Sequence, residues 1–258
     1  MNPRLRPVLA VWAACLAFAG CGTSVSGGVD KADATLTVFA ASSMKTTFTA
    51  LGTAFEASHP GFTVTFNFAG SQDLAQQLTQ GAHADAFASA NDANMKTVTD
   101  AGLASGEVRQ YATNRLEIAV PPDNPAKVSA FSDLAKPGIK LVVCAPAVPC
   151  GSATVKVEKA TGVQLKPVSE EQSVADVLAK VQAGEADAGL VYATDVKAAG
   201  STVKGIGFPE AAGAINTNSI VALTSGGSPG LGQQFVDLVL SPAGQKVLAE
   251  AGFGTPTS

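Results

Sequence analysis

From Leu36 to Ala251, short apolar runs of strand character alternate with segments whose apolar residues recur at helical spacing. That alternation narrows the fold more than any other feature, because strands separated by helices build a mainly parallel sheet with helices on both faces. The first unit shows how such a chain can also make a site. Leu36, Val38 and Phe39 read as a buried strand, and Met44, Phe48, Leu51 and Phe55 fall on one face of a helix. Between them lies Ala40-Ala41-Ser42-Ser43, small residues with two hydroxyls where the helix begins. The first N–H groups of a helix have no intrahelical partner and carry partial positive charge. A Ser at that point either caps its own helix or turns its hydroxyl toward a bound anion.

The pattern continues along the chain. Phe62 to Phe68 alternates with period two, and a short helix from Gln72 to Gln80 follows Gly70-Ser71. Ala84 to Ala90 reads as a strand, and Asn91-Asp92 caps a helix carrying Met95 and Val98. A strand at Leu116 to Val120 ends in Pro121-Pro122-Asp123-Asn124-Pro125, and a second α/β run begins there. It holds strands at Ile139–Cys144, Ala186–Tyr192, Val203–Phe208 and Ser219–Thr224, with helices at Gly151–Ala160 and Ser173–Ala183. Two helices, Leu231–Leu240 and Pro242–Ala251, close the chain, Pro242 standing at a helix start.

The two ends read differently. Arg4 and Arg6 precede an apolar run, Val8–Phe18, that is too short to span a bilayer, and Ala19-Gly20 lead into Cys21. This order resembles a bacterial lipoprotein signal, with residues 1–20 removed and Cys21 lipidated. Residues 21–33, rich in Gly and Ser, are the expected tether. With 17 basic and 21 acidic residues and no basic run, the chain lacks the charge footprint of a nucleic-acid binder. Cys144 and Cys150 sit six residues apart and could bridge in an oxidising compartment, the alternative being two free buried thiols. Neither has a second Cys or His at zinc-ligand spacing.

Four turns carry small residues or hydroxyls just after a strand and at a helix start: Ser42-Ser43, Gly70-Ser71, Cys150-Gly151-Ser152 and the turn before Val174. In open α/β sheets ligands sit at the carboxyl ends of strands, where helix N-termini converge. Each turn alone reads as a cap, and the four together read equally well as an anion site. Ser42-Ser43-Met44-Lys45 matches the S-x-x-K nucleophile motif, but its partner motifs S-D-N and K-T-G are missing. His59 and His83 stand in no metal or triad spacing and read as surface residues, and no phosphate-binding Gly loop is present.

Taken in order, TVFAASSMK, FNFAGSQDLAQQL, GAHADAFASANDANM, VPCG and SVADVLAKVQAGEADAGLVYATDV resemble the molybdate-binding protein family, the substrate-binding component of the molybdate ABC transporter. The resemblance spans nearly all of residues 35–254. It implies a two-lobed periplasmic-binding-protein-like fold (type II), with lobe 1 at 34–116 plus 221–258 and lobe 2 at 117–220. It implies a binding protein, not an enzyme, without cofactor, whose ligand is molybdate or tungstate. By motif, the oxyanion would be held by the hydroxyls of Ser43, Ser71 and Tyr192 and the backbone N–H groups of Cys150 and Val174, with no metal-cation ligands. The implied partners are a membrane permease and its ATPase. The implied location is extracytoplasmic, with a likewise implied lipid on Cys21 and a monomeric chain. The same fold could also serve sulfate, phosphate or another small ligand.

Overall fold

The computed structural model describes residues 34–227 and 230–256. The expected leader (1–20), tether (21–33) and Cys21 anchor lie outside the described residues. Among the described residues the chain forms two five-stranded sheets. The first sheet contains β1 (Ala34–Ala41), β2 (Phe62–Ala69), β3 (Ala86–Ser89), β4 (Arg109–Asn114) and β10 (Asn216–Ala222) in the order β2-β1-β3-β10-β4. The second contains β5 (Leu116–Val120), β6 (Leu141–Cys144), β7 (Ser169–Glu171), β8 (Ala188–Tyr192) and β9 (Lys204–Ile206) in the order β7-β6-β8-β5-β9.

Each sheet is mixed. β1 pairs parallel with β2 and β3, whereas β10 runs antiparallel to β3 and β4. β6 pairs parallel with β7 and β8, whereas β5 runs antiparallel to β8 and β9. The antiparallel strands β5 and β10 are the first strand of each sheet after the chain passes between them. The expected boundary at 116/117 falls at the start of β5. That at 220/221 falls inside β10, which is paired to β3 or β4 from Asn216 onward, so the return passage precedes Asn216.

The helices cover the sheets as the periodicity demands. On one face of the first sheet lie α1 (Lys45–Ser58), α7 (Leu231–Leu240) and α8 (Pro242–Ala251). Met44, Phe48, Leu51 and Phe55 are all buried there, and Phe48 packs edge-on to Phe66 and Phe235. On the other face α2 (Ser71–Thr79) and α3 (Asp92–Asp100) bury Leu74, Leu78, Met95 and Val98 against Phe39 and Phe87. Asn91 caps α3 as the sequence suggests, its Oδ1 accepting the Asn94 N–H at 3.0 Å. The second sheet has its own core, built with α4 (Pro149–Thr161) and α5 (Val174–Gln182) around Val157, Val177, Val181 and Leu190. α6 (Ala193–Ala199) follows β8 directly. His83 is exposed, but His59 is half-buried and stacks on Phe55 with ring centres 4.0 Å apart, an anchor for the end of α1.

The Sγ atoms of Cys144 and Cys150 are bonded, with Cα atoms 5.7 Å apart. This ties the last residue of β6 to the first turn of α4. Gly151 fits under the tie because a β-carbon there would collide with the carbonyls of Cys144 and Ala145. Closing so short a loop stabilises the fold by about 2 kcal/mol in the chain-entropy account. Alkylation of the unfolded, unreduced chain followed by peptide mapping is expected to leave Cys144 and Cys150 unmodified. Alkyl groups on both would contradict the bridge. Cys144→Ser/Cys150→Ser should lower the urea midpoint by the equivalent of that energy.

Candidate functional site

Four chain turns converge between the sheets. β1 runs into a 3-10 turn at Ser42–Met44, β2 into α2 at Ser71, β6 into α4 at Pro149, and the β7–α5 loop into α5 at Val174. They surround a cavity of about 10 Å³. Its lining includes Ser43, Ser71, Cys150, Val174 and Tyr192, so the structure brings all five expected site residues together. Ala41, Ala90, Val148 and Pro149 also line it, and no charged side chain does so among the described residues. Pockets for organic ligands run to about 300–1,000 Å³. This cavity suits one small compact group, not a sugar, peptide or nucleotide.

The serine hydroxyls are not spent on capping. Ala41, Met44 and Gly70 occupy the N-cap positions of the 3-10 turn, α1 and α2, and none makes a side-chain cap bond. Ser43 Oγ is buried without a hydrogen-bond partner. Ser71 is fully buried, and its Oγ accepts the Ala90 N–H at 3.1 Å. That bond occupies a lone pair and leaves the Ser71 proton to be donated. In α4 the first residue is Pro149, which carries no N–H, so the first amide donor of that helix is Cys150. In α5 the capping reading does hold. Ser173 Oγ accepts the Asp176 N–H at 3.3 Å and donates to Asp176 Oδ2 at 2.7 Å, leaving Val174 with the first helical N–H.

Tyr192 closes the inner wall at the end of β8. Its hydroxyl is buried and has no hydrogen-bond partner of adequate geometry. Burial, reinforced by the Asp195 carboxyl and partly opposed by the Asn216 side chain, holds its pKa well above the usual tyrosine value. Tyr192 is therefore a neutral donor at any working pH. Its backbone N–H donates to Asp195 Oδ2 at 2.9 Å, which orients the start of α6. Asn216, at the start of β10, gives its amide to the Ala90 carbonyl at 2.9 Å and the Pro149 carbonyl at 3.3 Å, joining the two sheets beneath the cavity.

An outer hollow of about 260 Å³ shares Ser42, Ala69 and Gly70 with the cavity. Lys45 is exposed and lines this hollow instead of the cavity, with Asp73 and Asp176. Ser42 and Lys45, the two ends of the S-x-x-K match, both border this hollow, and Lys45 does not reach the cavity lined by Ser43, Ser71 and Tyr192. Sequence reasoning missed Asn216 and Asp195. The polar run Asn216-Thr217-Asn218-Ser219 hides a strand, and its burial is its signal; Asp195 is marked only by lying one helical turn beyond Tyr192.

Burial pushes Asp195 up from 3.8 to about 7, against the pull of the Tyr192 N–H. The folded chain therefore holds this proton more tightly than the unfolded chain does. The contribution to stability is present below about pH 4 and is lost as pH rises through about 7. Asp195→Asn, whose side-chain oxygen can still accept the Tyr192 N–H, should gain Tm relative to the parent chain between pH 5 and pH 8. Parallel melting curves across that range would refute this.

The sequence profile described as "Bacterial extracellular solute-binding protein" matches residues 36–254. The molybdate-binding protein ModA of Mycobacterium tuberculosis H37Rv is 48% identical over 240 residues, 92% of each chain. Among solved structures, the periplasmic molybdate-binding protein of Azotobacter vinelandii superposes with a TM-score of 0.76 at 21% identity, over 86% of this chain and 100% of that one. The sulfate-binding protein SubI of M. tuberculosis H37Rv gives 0.71 at 19% identity, over 85% and 86%. These two structures share the fold alone with this chain, whereas the 48% identity carries the family. This chain belongs to the molybdate-binding protein family of bacterial extracellular solute-binding proteins.

Proposed function

We propose that this chain captures molybdate, and tungstate equally, outside the cytoplasm and delivers it to the permease and ATPase of an ABC importer. The observation that carries this reading is the set of buried hydroxyls on Ser43, Ser71 and Tyr192 around one uncharged cavity, those of Ser43 and Tyr192 lacking a hydrogen-bond partner of adequate geometry. A desolvated dianion needs a full shell of donors, since an unpaired buried charge is very costly. Three hydroxyls and the first amides of α4 and α5 supply such a shell without a counter-cation. The name of the M. tuberculosis relative, a molybdate-binding protein, supports the choice of ion. The lipid on Cys21 tethers a monomeric chain to the membrane. The lobes are 34–115 with 216–258, and 116–215, and they close on the ion by bending at the two passages between the sheets.

A donor-only shell also selects. Molybdate and tungstate present acceptors in every direction, whereas hydrogen phosphate brings an O–H that would face donors. Such a mismatch costs about 1–3 kcal/mol, so phosphate should bind about 5-fold to 150-fold more weakly. Sulfate carries no proton at neutral pH, and it is rejected by size, because fixed donors lie too far from its closer oxygens. Calorimetric titration of the four anions at pH 7.5 and low salt is the test. Molybdate and tungstate should bind alike, and Ser43→Ala and Ser71→Ala should each weaken them by about 1.5–3 kcal/mol, the scale for hydrogen bonds to charged groups. Phosphate binding as tight as molybdate, or unchanged affinity in both variants, would refute the reading.

A further inference from the structure

The lobes also meet above the cavity, through groups that hold no part of the ion. Gln72, the second residue of α2, donates its Nε2 to the Gln172 carbonyl at 2.9 Å. Gln172 lies in the β7–α5 loop, two residues before Val174, so this bond joins the first sheet's lobe to the second's across the mouth. Gly70 stands against the same carbonyl. Its φ of −61° and ψ of 140° suit any residue, so backbone conformation does not call for glycine here. Space does: a β-carbon at 70 would collide with the Gln172 oxygen and with the Gln72 amide. Only the close approach of the two lobes creates the first of these clashes.

We propose that Gln72 is a latch holding the lobes closed, and that Gly70 is the gap through which it engages. This rests on the functional reading above and adds to it what sets the ion's dwell time. The latch sits one residue from Ser71 and two from Val174, so lobes drawn together by an ion at those positions bring Gln72 onto the Gln172 carbonyl. Closure also buries Gln72 Oε1 without a partner, which opposes the gain and keeps the latch reversible. The latch acts by positioning, since Gln72 is not among the groups that line the cavity.

The test uses Gln72→Ala and Gly70→Ala, with thermal melting to confirm folding. Molybdate dissociation should accelerate about threefold to tenfold in Gln72→Ala, the scale of one neutral hydrogen bond, with association unchanged. Gly70→Ala should dissociate at least as fast. In the ligand-free chain, amides of residues 148, 150–152 and 172–176 should exchange with solvent several-fold faster in both variants, while those of β1 and β10 keep the parent rate. Unchanged dissociation together with unchanged exchange in Gln72→Ala would overturn the latch. A parent chain that fails to bind molybdate would instead overturn the functional reading, and the exchange comparison would then decide the latch alone.

Discussion

A charge removed from water must be met by donors that are already in place, and the ion site proposed for the centre of this molecule rests on that constraint. The cavity walls carry hydroxyls and first-turn amides, and several of them are held by a bond behind them. Ala90 N–H fixes Ser71 Oγ, Asp195 fixes the backbone of Tyr192, and the Cys144–Cys150 bridge fixes the start of α4. Ser173 takes over the capping of α5 and so frees Val174. Fixed dipoles of this kind need no reorganisation when an ion arrives, which is the condition under which neutral donors can replace a counter-cation.

The topology explains how such donors come from both halves of the chain. The turns after β1, β2 and β6 point their helix N-termini toward the space between the sheets, as open α/β sheets do at the carboxyl ends of their strands. The chain passes between the sheets at Arg115 and again before Asn216. Both passages are braced by asparagines: Asn114 Nδ2 donates to Thr194 Oγ1 at 2.8 Å, and Asn216 bridges Ala90 and Pro149. Buried amides at these points tie the two sheets together by hydrogen bonds of definite geometry.

Much of this was legible in the residues. The helical face Met44-Phe48-Leu51-Phe55, the period-two strand from Phe62 and the four small-residue turns each report burial or backbone need directly, and the structure places them accordingly. The misses share a cause. β4, with the sequence Arg-Gln-Tyr-Ala-Thr-Asn, and the first half of β10 are polar strands, so hydrophobic period carries no signal for them. Their burial comes from tertiary neighbours, as with Asn218, fully buried in β10. Whether Ser43 and Ser71 cap helices or face a cavity could not be read locally either. Both outcomes use the same residue at the same place, and only the position of the second lobe separates them.

Anomalous diffraction from crystals grown with tungstate addresses the central claim most directly, because the heavy atom reports its own position. The account requires one strong peak inside the cavity, with oxygens within hydrogen-bond distance of Ser43 Oγ, Ser71 Oγ and Tyr192 OH, and no Lys or Arg side chain touching the ion. A peak elsewhere, or an ion paired with Lys45 in the outer hollow, would contradict it.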